Sequence, residues 1–306
     1  MVSVIRSEPR ALGFGVLHTL ASSPGQTFVL ALFLPGMKES AGVGDAEIAT
    51  IYALATLAGA VVLWAIGTWM DRIDIVRLSL MSGGFLALAC FLTSQANSAA
   101  WLLAGFFGLR LGGQGLLSQI GVTAVARYIR ELRGRALSLT SMGHSIGEAT
   151  LPPLIALSIV TFGWRPTMVM AGAFALLIVI AGVRLVRDMP AFRHCPTSEA
   201  RHLAAPDMRA GFFRSRYFMM TFPVFISTSF VITAVVFHQA LIAHDKGISL
   251  QWFAASFSAF ALARVASSLL VGPAIDSFGS KWLFAAHLVP LCLGMLLLAV
   301  TTSPAR

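Results

Sequence analysis

Charged residues are scarce in this chain. Asp, Glu, Lys and Arg make up 11% of its 306 residues, whereas a soluble globular domain carries roughly 25%. Hydrophobic residues make up 57%, so the remaining polar side chains are too few to cover a soluble protein of this length. The composition excludes an ordinary soluble domain and favours a protein embedded in a lipid bilayer.

Cysteines and catalytic motifs are scarce as well. Of the three cysteines, Cys90 and Cys292 lie in apolar stretches and Cys195 lies in a basic loop, without C-x-x-C or metal-ligand spacing. The sequence shows no His/Cys/Asp metal cluster, phosphate-binding glycine loop or nucleophile elbow. We therefore predict that the protein is not an enzyme and uses no cofactor or metal.

Long apolar stretches are what the sequence has in abundance. A bilayer core about 30 Å thick needs about 20 apolar residues in a helix, and nine stretches meet that length. They predict an all-α integral membrane protein with nine transmembrane helices. The stretches cover residues 11–36, 46–70, 75–95, 99–127, 136–162, 166–187, 216–244, 250–275 and 282–302.

The positive charges indicate how these helices are oriented. With the N-terminus in the cytoplasm, most of the 22 Lys and Arg residues fall in cytoplasmic segments, as in other membrane proteins. The net charge of +9 then belongs to loops beside an anionic lipid leaflet, so nucleic acid is not an expected partner.

One extended polar segment divides the chain. Residues 188–215 contain prolines, a basic excess and no apolar periodicity, a pattern that is typical of a linker. Six predicted helices precede it and three follow. We predict an N-terminal six-helix half over residues 1–188, a cytoplasmic linker over 189–215 and a partial C-terminal half over 216–306.

A short polar motif closes the second predicted helix of each half. Residues 67–77 read GTWMDRIDIVR and residues 272–281 read GPAIDSFGSK. In both, a glycine is followed after three residues by an aspartate, and a basic residue closes the motif. Matching motifs at matching positions indicate internal duplication of six-helix units.

This arrangement resembles the major facilitator superfamily of secondary transporters, whose loop between helices 2 and 3 reads Gly-x-x-x-Asp-Arg-x-Gly-Arg-Lys/Arg. Asp74 departs from that pattern in the first half, and Ser277 departs from it in the second. The resemblance implies a bundle of the major facilitator type in which these residues latch a cytoplasmic gate as the halves rock. The alternative is a charged turn that only fixes orientation. Gly67 itself is expected to let helices approach closely. The gating residues would be Gly67, Asp71, Arg72, Arg77, Gly272, Asp276, Gly279 and Lys281.

Several other segments are similar to uncharacterised bacterial members of that family, which implies a multi-pass protein of the bacterial inner membrane. Arg110 matches the arginine of the family's helix-4 motif. Gly147-Glu148 stands where the helix-5 motif of drug–proton antiporters has Gly-Pro, which counts against that activity. The similar segments are residues 24–27, 109–115, 133–139, 147–153, 162–165 and 237–239.

Three charged residues lie well inside predicted helices, away from the helix ends, namely Arg110, Glu148 and Arg264. A charge at mid-bilayer costs roughly 2.5–3.5 kcal/mol on insertion scales, so such residues are expected to be functional. Arg110 and Glu148 both fall near the midplane, where an ion pair between them is expected. His144 precedes Glu148 by one helical turn and forms with it a candidate proton-handling pair. The alternative is a structural Arg110–Glu148 bridge with His144 bonded to backbone.

Two arginines against one glutamate leave a positive charge in the interior, which favours an anionic substrate that arginine can grip with two nitrogens. Arg264 would contact it; alternatively Arg264 extends towards the cytoplasm or pairs with Asp276. Pro24-Gly25 and Pro223 interrupt the first helix of each half, and such breaks are tolerated where they line a cavity. The predicted substrate-binding residues are Arg110, Arg264, Gln114, Gln26 and His238.

Together these features predict a secondary transporter that moves a small organic anion, such as a carboxylate, by alternating access and proton coupling. It would be a monomer if full length, surrounded by lipid. Because the family implies twelve helices, the nine found here suggest a fragment, a frameshifted copy or a truncated gene, or less simply a partner that supplies the rest. The alternatives are an exporter of a neutral or cationic compound and a non-transporting remnant.

Overall fold

The structure is a computed structural model that describes residues 8–70, 73–129, 132–190 and 215–238 and parts of 242–300. The elements in these residues are helical. They are α1 (Pro9–Ala21), a 3-10 turn (Ser23–Gly25), α2 (Thr27–Ala41), α3 (Asp45–Met70), α4 (Ile75–Ser94), α5 (Ala99–Leu109), a π-helix (Arg110–Leu117), α6 (Ser118–Tyr128), α7 (Arg133–Phe162), α8 (Trp164–Val186), α9 (Arg216–Phe237) and α10 (Leu288–Val300).

The described helices confirm an all-α membrane fold. Five of them, α3, α4, α7, α8 and α9, are long and apolar enough to cross a bilayer. The first predicted span is built from α1, the 3-10 turn and α2, and the fourth from α5, the π-helix and α6. Half of the eighth predicted span, residues 250–275, lies outside the described residues.

The chain forms two compact units. The first comprises Met1–Cys195 with Phe257–Pro273, and the second comprises Pro196–Ser256 with Ala274–Arg306. The segment Phe257–Pro273 thus belongs to the first unit, although the sequence-based division assigns it to the C-terminal half. Residues 191–214, which hold most of the predicted linker, lie outside the described residues.

Small residues bring the helices of the first unit close together. A Cβ atom at Gly143 of α7 would lie 2.1 Å from Thr19 Oγ1 of α1, and one at Gly172 of α8 would lie 2.7 Å from Cys90 Cβ of α4. The Thr19 hydroxyl donates to the carbonyl of Thr140 at 2.7 Å. Close backbone contact and hydroxyl bonds of this kind hold membrane helices together where lipid removes the hydrophobic drive between them.

Large apolar side chains cover the outer faces of the long helices. Trp64, Leu157, Val160 and Leu177 are each at least 66% exposed. Water would solvate such a surface poorly, whereas the hydrocarbon of a bilayer solvates it well. The exterior of the first unit therefore matches a lipid environment.

A tight turn at Gly163, with a φ of +84°, joins α7 to α8 and positions one aromatic and one basic side chain, Trp164 and Arg165. Trp164 Nε1 donates to Ser40 Oγ at 3.2 Å. Arg165 donates through Nη1 to the carbonyl of Ser94 at 2.6 Å and through Nη2 to that of Ala96 at 3.0 Å. Its guanidinium also lies over the Trp164 ring, 4.8 Å from the ring centre. Arg165 thus ties the start of α8 to the loop after α4.

Candidate functional site

The first helix breaks where the sequence predicts. Pro24 and Gly25 form the 3-10 turn between α1 and α2. Beyond the turn, the backbone N–H groups of Val29 and Leu30 both donate to the carbonyl of Gln26. The carbonyl oxygen of Gly25 is therefore left outside the helical ladder and available to another donor.

The fourth helix is distorted at the same level. Residues Arg110–Leu117 form a π-helix in place of a continuous α-helix, a feature that the sequence did not predict and that often marks functional sites. A Cβ atom at Gly25 would lie 2.1 Å from the carbonyl oxygen of Leu109, and one at Gly113 would lie 2.7 Å from Gly25 Cα. Only glycine allows this backbone-to-backbone crossing.

Arg110 enters the π-helix beside this crossing and is 5% exposed. Its Nη1 donates to the carbonyl of Gly25 at 3.1 Å and to Thr27 Oγ1 at 3.4 Å, and its Nε donates to Thr56 Oγ1 at 3.1 Å. The guanidinium lies 5.2 Å from the centre of the Tyr52 ring. Each of these partners is neutral, so the positive charge is solvated by dipoles but not compensated.

The prediction of an ion pair between Arg110 and Glu148 is wrong. Glu148 Oε1 instead accepts from Nη1 of Arg264, while Arg110 is held by the free carbonyl at the helix break. The side chain of Glu148 is 9% exposed and that of Arg264 is 36% exposed. Glu148 Oε2 has no hydrogen-bond partner among the described residues. One alternative partner of Arg264, Asp276, lies outside the described residues.

His144 lies one turn before Glu148 on α7, as the sequence places it. Its Nε2 is 3.3 Å from Ser118 Oγ, at the start of α6. The partner is therefore a side chain and not the backbone group of the alternative interpretation. Arg264 is close enough to interact with His144 electrostatically. Glu148, His144 and Arg264 thus form one cluster of ionisable side chains in the first unit.

The structure brings two predicted glutamines to the helix crossing. Gln26 follows Gly25, is half-buried and donates through Nε2 to Ser22 Oγ at 3.2 Å. Gln114 follows Gly113 on the π-helix and is exposed. Arg110, Gln26 and Gln114 therefore surround a single contact between the first and fourth helices.

His238 belongs to the second unit and is described with it. It follows α9, and its ring lies edge-on to Phe237 with ring centres 5.1 Å apart. In the same unit, Thr228 Oγ1 lies 3.3 Å from His287 Nε2, a contact that the sequence did not indicate.

The predicted gating motif is described only in part. Asp74, the departure from the family pattern, caps α4 by accepting from the backbone N–H groups of Val76 at 2.9 Å and Arg77 at 3.2 Å. A Cβ atom at Gly67 would meet no described atom within 4 Å, so the close helix approach expected there is not seen. Asp71, Arg72, Gly272, Asp276, Gly279 and Lys281 lie outside the described residues.

Two residues that hold Arg110 were not predicted from the sequence. Tyr52 and Thr56 are four residues apart on α3, which places them on the same helix face. The Tyr52 hydroxyl also lies 2.8 Å from Thr27 Oγ1. Two polar side chains spaced four residues apart in a largely apolar helix could have indicated that this face of α3 points into the protein, since polar side chains in a membrane helix rarely face lipid.

Comparison with known proteins places these features in a family. The sequence matches the Major Facilitator Superfamily over residues 17–305. It is 24% identical over 168 residues to the Uncharacterized MFS-type transporter YhjX of Escherichia coli strain K12. That alignment covers 54% of this chain and 41% of YhjX. It is 26% identical over 162 residues to the Probable nitrate transporter NarT of Staphylococcus aureus strain JH9. That alignment covers 50% of this chain and 40% of NarT.

The two alignments thus span less than half of either relative, whereas the family match extends over most of the chain. The match agrees with the all-α fold and the apolar, membrane-length helices. The resemblance seen in the sequence is thereby confirmed: this multi-pass membrane protein belongs to the major facilitator superfamily of transporters.

Proposed function

We propose that this chain is part of a secondary transporter that moves a small anion across the bacterial inner membrane, and that Arg110 holds the anion. The observation that carries the proposal is the uncompensated charge of Arg110. The side chain is 5% exposed, and its hydrogen-bond partners among the described residues are Gly25, Thr27 and Thr56.

A buried charge without a counter-charge is expensive, and within membranes such groups mark substrate or ion pathways. The three intramembrane charges of the first unit do not contribute equally. Arg264 and Glu148 neutralise each other, so the net positive charge resides at Arg110. An anion that binds beside Arg110 would supply the missing counter-charge.

The comparison with NarT supports an anion without identifying it. That relative is named a probable nitrate transporter, and nitrate is a small planar oxyanion like the carboxylate group of an organic acid. Both have oxygen atoms that accept from a guanidinium. The proposal therefore covers nitrate as well as small carboxylates.

Proton coupling is the second part of the proposal, with Glu148 and His144 as the groups involved. Glu148 has one oxygen paired with Arg264 and one without a described partner. A proton taken up on this carboxyl would cancel its charge and weaken its hold on Arg264. The released arginine would then be free to follow the substrate or the opposing half during alternating access, in a monomer whose N-terminus is cytoplasmic.

Export of a cation would need a buried acidic group without a counter-ion. Glu148 already has Arg264 as a counter-ion, so the described residues do not favour a cationic substrate. A non-transporting remnant is distinguished by assay, because it would move no substrate at all.

Uptake into proteoliposomes tests the proposal. The purified protein is reconstituted and assayed with labelled nitrate, formate and acetate, with and without an imposed pH gradient, and with an organic cation as a comparison. Arg110→Gln should reduce anion uptake about 10- to 100-fold, since a hydrogen bond to a charged group contributes about 1.5–3 kcal/mol.

Arg165→Gln is the matched control, because Arg165 also donates to two carbonyls and lies over an aromatic ring but sits away from Arg110. It should retain uptake. Glu148→Gln should still exchange anions but no longer respond to the pH gradient. Undiminished uptake by Arg110→Gln, or transport of the cation and of no anion, would overturn the proposal.

A further inference from the structure

We infer that the Arg110 site selects monovalent anions, and that Thr56 is a direct ligand of the anion beside Arg110. The inference rests on the proposed function and sharpens it by specifying the charge of the substrate and a second residue that touches it. Neither follows from the uncompensated charge alone.

Arg110 has N–H donors that its described partners do not use. A guanidinium has five N–H donors on three nitrogens. Nε is used by Thr56, and Nη1 is used by the Gly25 carbonyl and Thr27 Oγ1. Nη2 has no acceptor among the described residues and is not sealed from the surface. The amino group Nη2 is therefore the part of Arg110 that can meet a substrate.

This arrangement removes the two-nitrogen grip expected from the sequence. A carboxylate held by two parallel hydrogen bonds needs Nη2 together with either Nη1 or Nε. Thr27 and Gly25 occupy Nη1, and Thr56 occupies Nε. An anion must therefore bind through Nη2 and complete its coordination with a neighbouring donor that is not part of the guanidinium.

Thr56 is placed to be that donor. Its hydroxyl oxygen accepts from Nε of Arg110, so its own hydrogen remains available. Threonines in membrane helices often donate that hydrogen to the carbonyl four residues earlier, as Thr50 of the same helix does to Ala46 at 2.8 Å. Thr56 makes no such bond in the structure and is half-buried. Its hydroxyl can therefore donate to an anion oxygen bound at Nη2.

The charge at the site sets the valence. Among the described residues, the groups in contact with Arg110 are neutral, and Arg264 is paired with Glu148. One positive charge compensates one negative charge. A divalent anion would bring a second charge into a poorly solvated region without a partner, which is strongly unfavourable.

Equilibrium binding to the purified protein in detergent tests the valence. Isothermal titration calorimetry with nitrate and with oxalate compares two compact anions that differ in charge. We expect nitrate to bind at least about tenfold more tightly, a difference of about 1.4 kcal/mol. Oxalate binding as tight as nitrate binding would overturn the valence while leaving the anion proposal intact. Failure of both anions to bind would instead refute the proposed function.

Substitution of Thr56 in two backgrounds, the unmodified protein and Arg110→Lys, tests whether Thr56 is a direct ligand of the anion. Thr56→Val should weaken nitrate binding about tenfold, Thr56→Ser should restore it, and Thr50→Val on the same helix should leave it unchanged. The same Thr56→Val substitution is then made in Arg110→Lys, where no Nε remains to be held. A direct ligand still lowers nitrate affinity in that background. If Thr56→Val has no further effect there, Thr56 only positions Arg110 and its role as a ligand is refuted.

Discussion

Two arginines of the first unit that fall inside predicted spans are stabilised in different ways. Arg264 is paired with the carboxylate of Glu148, whereas Arg110 is held by a carbonyl, two hydroxyls and an aromatic ring. An ion pair removes the net charge, but dipoles only stabilise it. Under the proposed function, this difference predicts that the substrate charge is needed at Arg110 and not at Arg264.

The difference originates in the backbone. The break in the first helix frees the Gly25 carbonyl, and the crossing of Gly25 with Gly113 places it beside the start of the π-helix. Arg110 therefore finds an acceptor that an unbroken helix would not offer. Arg264 has Glu148 as its described partner, and the pair requires that both residues stay charged.

The largest effect should come from breaking the compensated pair. Arg264→Gln leaves the carboxylate of Glu148 buried without a counter-charge, and loss of one partner from a buried pair costs about 3–5 kcal/mol. Thermal unfolding in detergent should show a marked loss of stability, which shrinks at acidic pH because a protonated carboxyl needs no counter-charge. The double variant Arg264→Gln/Glu148→Gln should recover much of it. Equal stability of the single and double variants would show that the pair is not formed.

A smaller effect is expected from separating the two helices that hold Arg110. Gly113→Ala places a methyl group 2.7 Å from Gly25 Cα, and forced overpacking costs about 1–3 kcal/mol. The variant should lose both stability and anion affinity, because the Gly25 carbonyl moves away from Arg110. Gly84→Ala is the matched control, since a Cβ there meets nothing within 4 Å. Identical anion affinity of the two variants would contradict a role for the crossing.

The smallest effect should come from Asp74, whose hydrogen bonds to Val76 and Arg77 cap its own helix and involve neither arginine. Asp74→Ala removes the side chain that caps α4, at a cost of about 1 kcal/mol. Asp74→Asn should keep most of the cap. Calorimetry should detect the loss in stability, and nitrate affinity should be unchanged in both variants. A change in affinity with Asp74→Ala would indicate that the capped loop is coupled to the Arg110 site.

Much of the fold could be predicted from the sequence, because apolar length alone decides what crosses a bilayer. The break at Pro24-Gly25 was equally legible, since proline and glycine interrupt helices for local reasons. The π-helix at Arg110–Leu117 was not, because its glycines permit distortion without requiring it. The distorted segment packs against Gly25, which is far away in the sequence.

The partners of the buried charges were the least predictable part of the site. Arg110 and Glu148 were expected to pair because both fall near the midplane, but depth does not specify which side of a helix faces which neighbour. The actual partners are Thr56 and Gly25 for Arg110 and Arg264 for Glu148. Rotation of each helix is set by packing such as that of Gly113 on Gly25, which only the folded structure reveals.

The most direct test of the comparison is the dissociation constant of nitrate for two variants measured side by side. Arg110→Gln removes the uncompensated charge, and Arg264→Gln/Glu148→Gln removes the neutral pair as a unit. Nitrate affinity should fall about 10- to 100-fold in Arg110→Gln and stay close to that of the unmodified protein in the double variant. Preserved affinity in Arg110→Gln together with lost affinity in the double variant would contradict this expectation and move the anion site to Arg264.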